Sequence, residues 1–163
     1  MRPVGLTIAA VLAMQTASAA LAQTVSLEGM DGQALTISAA ALQAMPHQVL
    51  TLTSEDGKAV RYEGVPLSLL LQKVGAPAGK ALRGPDMADV VIVSATDGYR
   101  VAMSLAETDA SLRGEAVLLA DRADGQALTA HDGPFRLIVE GDHRPARAER
   151  MVADIRLVRP AAK

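Results

Sequence analysis

No cysteine and no tryptophan occur in the 163 residues. Without thiols there is no disulfide staple, no thiolate nucleophile and no thiolate metal ligand, so packing alone must hold the fold. Aromatics are nearly as scarce, with one Phe and two Tyr. Stacking platforms for bases are therefore almost missing, and the core must be built from Leu, Val, Ile, Ala and Met. An excess of one charge is lacking too: 16 Lys and Arg face 18 Asp and Glu, a net charge of −2. That balance gives no reason to expect nucleic acid or an anionic membrane surface as a partner. No G-x-S-x-G elbow, P-loop or G-x-G-x-x-G run is present, which removes the usual sequence support for acyl transfer, phosphate hydrolysis and dinucleotide binding.

What is there begins with an export signature. Arg2 gives a short positive start, residues 4–14 are apolar apart from Gly5 and Thr7, and Ala20-Leu21-Ala22 forms an A-x-A cleavage site. The apolar run is too short for the roughly 20 residues of a spanning helix, and no second run of that length follows. Residues 1–22 are therefore expected to be a signal peptide, cleaved before Gln23, with a periplasmic product and no membrane span after cleavage. The remaining 23–163 fit one domain with a modest core. Its net charge is −3, because Arg2 is the only charge removed.

Five Asp-Gly pairs punctuate this domain: Asp31-Gly32, Asp56-Gly57, Asp97-Gly98, Asp124-Gly125 and Asp132-Gly133. Glycine takes positive φ without steric cost, so such a pair between short alternating apolar runs signals a hairpin. The first three predict hairpins joining 24–28 to 34–37, 49–53 to 59–62, and 90–95 to 100–103. Further strands are expected over 116–120, 135–140 and 153–158. Ser38 is placed to cap a short helix stopped by Pro46. A clearer helix is expected over 67–74, with Pro66 at its first turn and Gly75 past its end. Shorter helical pieces are expected over 104–110 and 147–152, and 75–89 reads as a surface loop. The hexapeptide Asp-Gly-Gln-Ala-Leu-Thr occurs at 31–36 and 124–129; one recurrence marks two similar strand starts, not a solenoid. Strands dominate without sustained β-helix-β alternation, so the class is α+β with mixed, mostly antiparallel sheets.

Few residues offer chemistry. Glu107 and Asp109 lie near a helix start, where acids ordinarily complement the dipole in water. His47 is expected as a half-exposed strand residue. His131-Asp132 and Asp142-His143 bracket the strand expected over 135–140, which at about 3.3 Å per residue holds its ends apart; no metal site is assigned. Arg136, Arg144, Arg147, Arg150, Arg156 and Arg159 crowd the last part of the chain. Guanidinium forks suit phosphate or carboxylate, but Asp142, Glu149 and Asp154 interleave, and the simpler expectation is a surface ion-pair network.

Several pieces occur in a recognisable order. They are Gly64-Val65-Pro66-Leu67 with Leu69-Leu70-Leu71, then Ala95-Thr96-Asp97-Gly98-Tyr99, Leu118-Leu119-Ala120 and Asp124-Gly125-Gln126-Ala127-Leu128. The run His131-Asp132-Gly133-Pro134-Phe135-Arg136-Leu137-Ile138-Val139 follows, then Arg150-Met151-Val152 with Ile155. Over roughly residues 25–159 this succession resembles the molybdopterin-binding domain of sulfite-oxidase type. The resemblance implies that fold and a pocket for the pyranopterin. His131 and Arg136 match family positions that contact the cofactor's pterin and phosphate, and Arg150 stands where the family has a lysine; these three are the candidate cofactor-binding residues. In the family a cysteine from an upstream portion of the domain holds molybdenum; this chain has no cysteine and is similar to a short, stand-alone form. Glu140-Gly141 replaces a proline after the strand, Met151 replaces a tryptophan, and Asp132 separates His131 from Gly133.

Three functions follow as expectations. The first is a periplasmic module that binds molybdopterin or another small phosphate- or carboxylate-bearing anion. The second is a molybdenum-dependent oxidoreductase without cysteine ligation, which needs a periplasmic electron-transfer partner. The third is a cofactor-free scaffold of the same fold. No catalytic residue is assigned.

Overall fold

Strands β1 (Thr24–Glu28) and β2 (Ala34–Ser38) form a hairpin around Asp31-Gly32 in the computed structural model, which describes residues 23–53 and 57–161. The expected export signal at 1–22 lies outside the described residues. The other strands are β3 (Gln48–Thr53), β4 (Ala59–Pro66), β5 (Val90–Ala95), β6 (Arg100–Ser104), β7 (Val117–Ala123), β8 (Gln126–Ala127), β9 (Arg136–Val139) and β10 (Val152–Val158). They make two five-stranded sheets. One runs β2-β1-β10-β5-β6 and the other β3-β4-β7-β8, with β9 also paired to β7. Only β1–β10 is parallel; the other pairings with a recorded register are antiparallel. In that parallel pair Ser26 Oγ donates to Asp154 Oδ1 at 2.7 Å.

The three expected hairpins form as β1–β2, β3–β4 and β5–β6, and Asp124-Gly125 turns a fourth, whereas Asp132-Gly133 turns none. At the β7–β8 turn Asp124 and Gly125 have φ of 51° and 76°, the two positive values that a tight two-residue hairpin requires. Alternation then sorts side chains to the two faces of the second sheet. Val117 and Leu119 of β7 and Leu137 and Val139 of β9 join Val65 in the main core with β1, β5 and β10, while Leu118, Ala120 and Ile138 join Tyr62 in a smaller cluster on the other face. Buried on both faces, β7 is apolar at consecutive positions. Phe135, the one phenylalanine, is fully buried.

Helices are short: α1 (Ala39–Gln43), α2 (Leu67–Gln72) and α3 (Ala110–Arg113). Among the described residues none is long and apolar enough to cross a membrane. Ser38 caps α1 by accepting from Ala41 N–H at 3.2 Å. The helix expected over 104–110 is instead a 3₁₀ turn, Leu105–Thr108, closed at its start by a Ser104–Glu107 capping box. Asp109 ends it and caps α3, its carboxylate accepting from Ser111 N–H and Gly79 N–H; such local side-chain bonds compete with helix continuation. The turn expected over 147–152 comes earlier, at Pro145–Arg147, where proline sits at the first position, and β10 already starts at Val152. The loop 75–89 contains two 3₁₀ turns, Gly79–Ala81 and Gly84–Ala88, and Arg159 ties its end down through Asp86 and Asp89.

Gly64 opens the motif that carried the resemblance, and its role is steric. It lies at the β4–β7 register shift, where an added Cβ would sit 2.5 Å from the Ala120 Cα. Only glycine lets the two backbones approach so closely before Val65 and Leu67 enter the core. Gly64→Ala is expected to destabilise the fold by about 2 kcal/mol or more, as overpacking against backbone does, read as a lowered thermal midpoint. Gly32→Ala, with no atom within 4 Å of the added carbon, carries a conformational strain from its φ of 73° but no such clash, and is expected to cost less.

Candidate anion-binding site

The period of two along β9 decides where Arg136 goes. With Leu137 and Val139 in the main core, Arg136 shares the opposite face with Ile138, and it is paired with Ala120 across the ladder. Tyr62, only 8% exposed, lies on that face, and the Arg136 Cζ sits 5.3 Å from its ring centroid, within cation–π range. Arg136 Nη1 donates to Asp132 Oδ1 at 3.2 Å. Its Nε is buried and meets no acceptor. Leu52, Val60, Tyr62 and Arg136 line a cleft of about 360 Å³, with Asp142, His143, Pro145 and Ala148 across from them; small-molecule sites have this size.

Backbone bonds bring the other two candidates alongside. Leu137 N–H donates to Glu149 O at 2.8 Å, Met151 N–H to Asp132 O at 3.1 Å, and Val152 N–H to Phe135 O at 2.9 Å. Residues 149–152 therefore run beside 132–137, and Arg150 meets His131, with Nη1 2.7 Å from Nε2 and 3.0 Å from Nδ1. His131 Nδ1 is also 3.5 Å from Asp132 Oδ1. Arg136 and His131 thus both meet Asp132, and Arg150 joins them through His131, but at different depths. The Arg136 side chain is 18% exposed and that of His131 73%. Arg150 lines a second cleft with Asp97, Tyr99 and Glu149, which shares the Pro145–Ala148 wall with the first.

Other arginines form ion pairs, as the interleaved acids suggest. Arg147 bridges Asp142 and Glu107, Arg156 pairs with Glu28, and Arg159 with Asp86 and Asp89. The Arg147 hydrogen bond holds the Asp142 carboxyl below its ordinary range against the opposing effect of burial. At Glu107 burial pushes upward, but bonds from Arg147 and Ser104 outweigh it and the net shift is downward. Asp109 is buried and not solvated, for the capping reason already given. His47 is half-buried and placed between Met45 O at 2.8 Å and Asp121 Oδ1 at 3.1 Å. Among the described residues no group of three or more His, Asp or Glu could hold a metal ion.

Glu149 departs from the sequence expectation. Read there as one acid of a surface network, it is only 3% exposed, and neither carboxyl oxygen has a hydrogen-bond partner. Burial is the main cause that pushes its carboxyl up to about 7; the Ala95 N–H offsets part of this, and nearby Asp97 adds to it. No sequence signal marked this residue, because 140–151 carries no periodicity. Tyr62 was equally silent, since only the β4–β7–β9 pairing places it under Arg136.

A raised carboxyl has a definite consequence for stability. The native state keeps a proton on Glu149 where the unfolded chain releases it, so stability falls as pH climbs from about 4.5 to about 7, and the penalty is complete above that. Its size is on the order of 3 kcal/mol. Glu149→Leu is expected to raise the thermal midpoint at pH 8 and to change it little near pH 4.5. An equal effect at both pH values would show that the carboxyl is not buried unpaired.

A family model described as the oxidoreductase molybdopterin binding domain matches residues 12–160. Among solved structures, the fold is similar to that of the sulfane dehydrogenase SoxCD from Paracoccus pantotrophus, with a TM-score of 0.64 and 19% identity over 84% of this chain and 38% of that one. This chain thus spans well under half the length of that relative, and at this identity the likeness is one of fold. No curated protein matches. With the family model covering nearly the whole chain and the two-sheet fold agreeing with it, this protein belongs to the oxidoreductase molybdopterin-binding domain family.

Proposed function

We propose that the chain is an exported periplasmic module of the molybdopterin-domain type, whose two adjoining clefts, lined by Arg136 and Arg150, hold the anionic part of a pterin cofactor or another small phosphate- or carboxylate-bearing molecule. The observation that carries this reading is the Arg136 guanidinium. It is held in place by Tyr62 and Asp132, yet its buried Nε–H has no acceptor. A buried donor left unpaired costs about 1–3 kcal/mol, and a ligand oxyanion in the adjoining cleft removes that cost with a charge-assisted bond. His131 and Arg150, on the other side of Asp132, supply a second, more exposed positive group for the same anion. Export rests on residues 1–22.

The side chains present fit the organic, anionic portion of molybdopterin and do not fit its metal. The sequence has no thiolate to serve as the protein ligand of a soft metal dithiolene, and no described cluster of His, Asp or Glu replaces it. No redox step is therefore derived. The family's oxidoreductase chemistry, with a separate electron-transfer partner, is the competing proposal. Stoichiometric molybdenum in protein recovered from the periplasm would favour it over a binding role.

Titration calorimetry with inorganic phosphate and with pterin-6-carboxylate tests the binding reading. Arg136→Ala is expected to weaken both by about tenfold or more, the value of one charge-assisted bond. Arg150→Ala, at an exposed position, is expected to weaken them several-fold. Wild-type affinities that survive Arg136→Ala unchanged, in a variant that still unfolds cooperatively, overturn the proposal.

A further inference from the structure

Glu149 lies in the wall of the second cleft, where neither carboxyl oxygen makes a hydrogen bond and the neighbouring Ala95 N–H is already bonded to Tyr99 O at 3.0 Å. The Glu149 backbone is pinned on both sides, N–H to Arg147 O at 2.9 Å and O to Leu137 N–H at 2.8 Å, so the residue as a whole cannot leave the wall. The donors around it are committed elsewhere. Tyr99 Oη donates to Ala146 O at 2.9 Å, Ala148 N–H to Pro145 O at 3.0 Å, and Arg150 Nη1 engages His131; Pro145 has no N–H. Both carboxyl oxygens are left without a partner, although a buried acceptor of this kind is almost always satisfied.

A carboxylate is an acceptor with two oxygens side by side, and two parallel N–H groups satisfy it best. A bare metal ion is a poor occupant, since the two carboxyls of the wall, Glu149 and Asp97, offer too few ligands and Arg150 repels it from the rim. A single ammonium group aligns with only one direction. A planar heterocycle with adjacent ring N–H and amino groups meets both oxygens at once, and Arg150, the cationic residue of a wall that also carries Asp97, stands ready for an anionic substituent on the same molecule. We infer that Glu149 is a second recognition point that reads the paired N–H edge of an amino-lactam ring such as that of a pterin, so that the ligand carries a donor edge at one end and an anion at the other. This inference rests on the anion-binding reading and adds the ligand's other end. The carboxyl's high proton affinity in the free protein, caused by burial, agrees with a group that lacks the donors a ligand brings. Asp97, Tyr99 and Arg150 at the rim are exposed, so a ligand reaches Glu149 by turning them aside at the cost of exposed side-chain bonds such as Tyr99 Oη to Ala146 O.

Fluorescence titration with pterin-6-carboxylate and with lumazine-6-carboxylate, which has an oxo group in place of the amino group, tests this inference. Wild-type protein is expected to prefer the pterin by about tenfold. Glu149→Leu removes the preference, and Glu149→Gln, which presents one acceptor and one donor, removes or inverts it; neither weakens inorganic phosphate. A wild-type preference near one in protein that binds phosphate through Arg136 overturns the role of Glu149 alone, as does a preference that survives both substitutions. Wild-type protein that binds none of the three probes overturns the anion-binding reading and this inference with it.

Discussion

Three backbone hydrogen bonds clasp residues 149–152 onto 132–137, and the arrangement of the molecule depends on them. They join β9 of one sheet to the start of β10 in the other, and Thr96 N–H adds a fourth bond to Met151 O at 3.1 Å. The β5–β6 turn, the end of β9 and the start of β10 are thereby fixed at one corner. Met151 adopts a φ of 50° there, unusual for a side chain with a Cβ, and the flanking bonds over-determine it. His131 and Arg136 come from one segment and Glu149 and Arg150 from the other, and they meet because of this clasp, not because of their spacing in the chain.

Elsewhere several charged groups are matched. Arg147 serves two acids, Arg159 serves two, and Arg156 crosses from β10 to β1 to reach Glu28. Against this background the unsatisfied buried atoms stand out: among the described residues they are Arg136 Nε, both oxygens of Glu149 and Asp121 Oδ2. Three of the four lie beside the two adjoining clefts. An unpaired buried donor and an unpaired buried acceptor each reduce stability in the free protein.

The core shows how a fold stands without thiol cross-links and with hardly any rings. Leu, Val and Ile from both sheets interdigitate over the inner faces, with Phe135 as the single large ring at the junction. Gly64 contributes by having no side chain, bringing β4 against β7 so that α2 can follow directly and bury Leu67, Leu70 and Leu71. The Gly-Val-Pro-Leu motif therefore has a packing cause that is independent of any ligand.

Local chemistry was legible from the chain alone. Asp-Gly pairs set the hairpins, alternation set which side of each strand is apolar, Ser38 and Pro66 set the starts of α1 and α2, and the order of motifs pointed to the family. His131, Arg136 and Arg150 could be named from that order, since each is a residue type at a motif position. What only the tertiary structure decided was non-local: that Asp132 stands within reach of both Arg136 and His131, that Tyr62 lies under Arg136, and that Glu149 is buried with neither carboxyl oxygen hydrogen-bonded. Hydrogen bonding within a turn is written in neighbouring residues, whereas burial of a carboxyl depends on segments such as Ala95–Tyr99 and Pro145–Ala148 that approach only after the two sheets have closed.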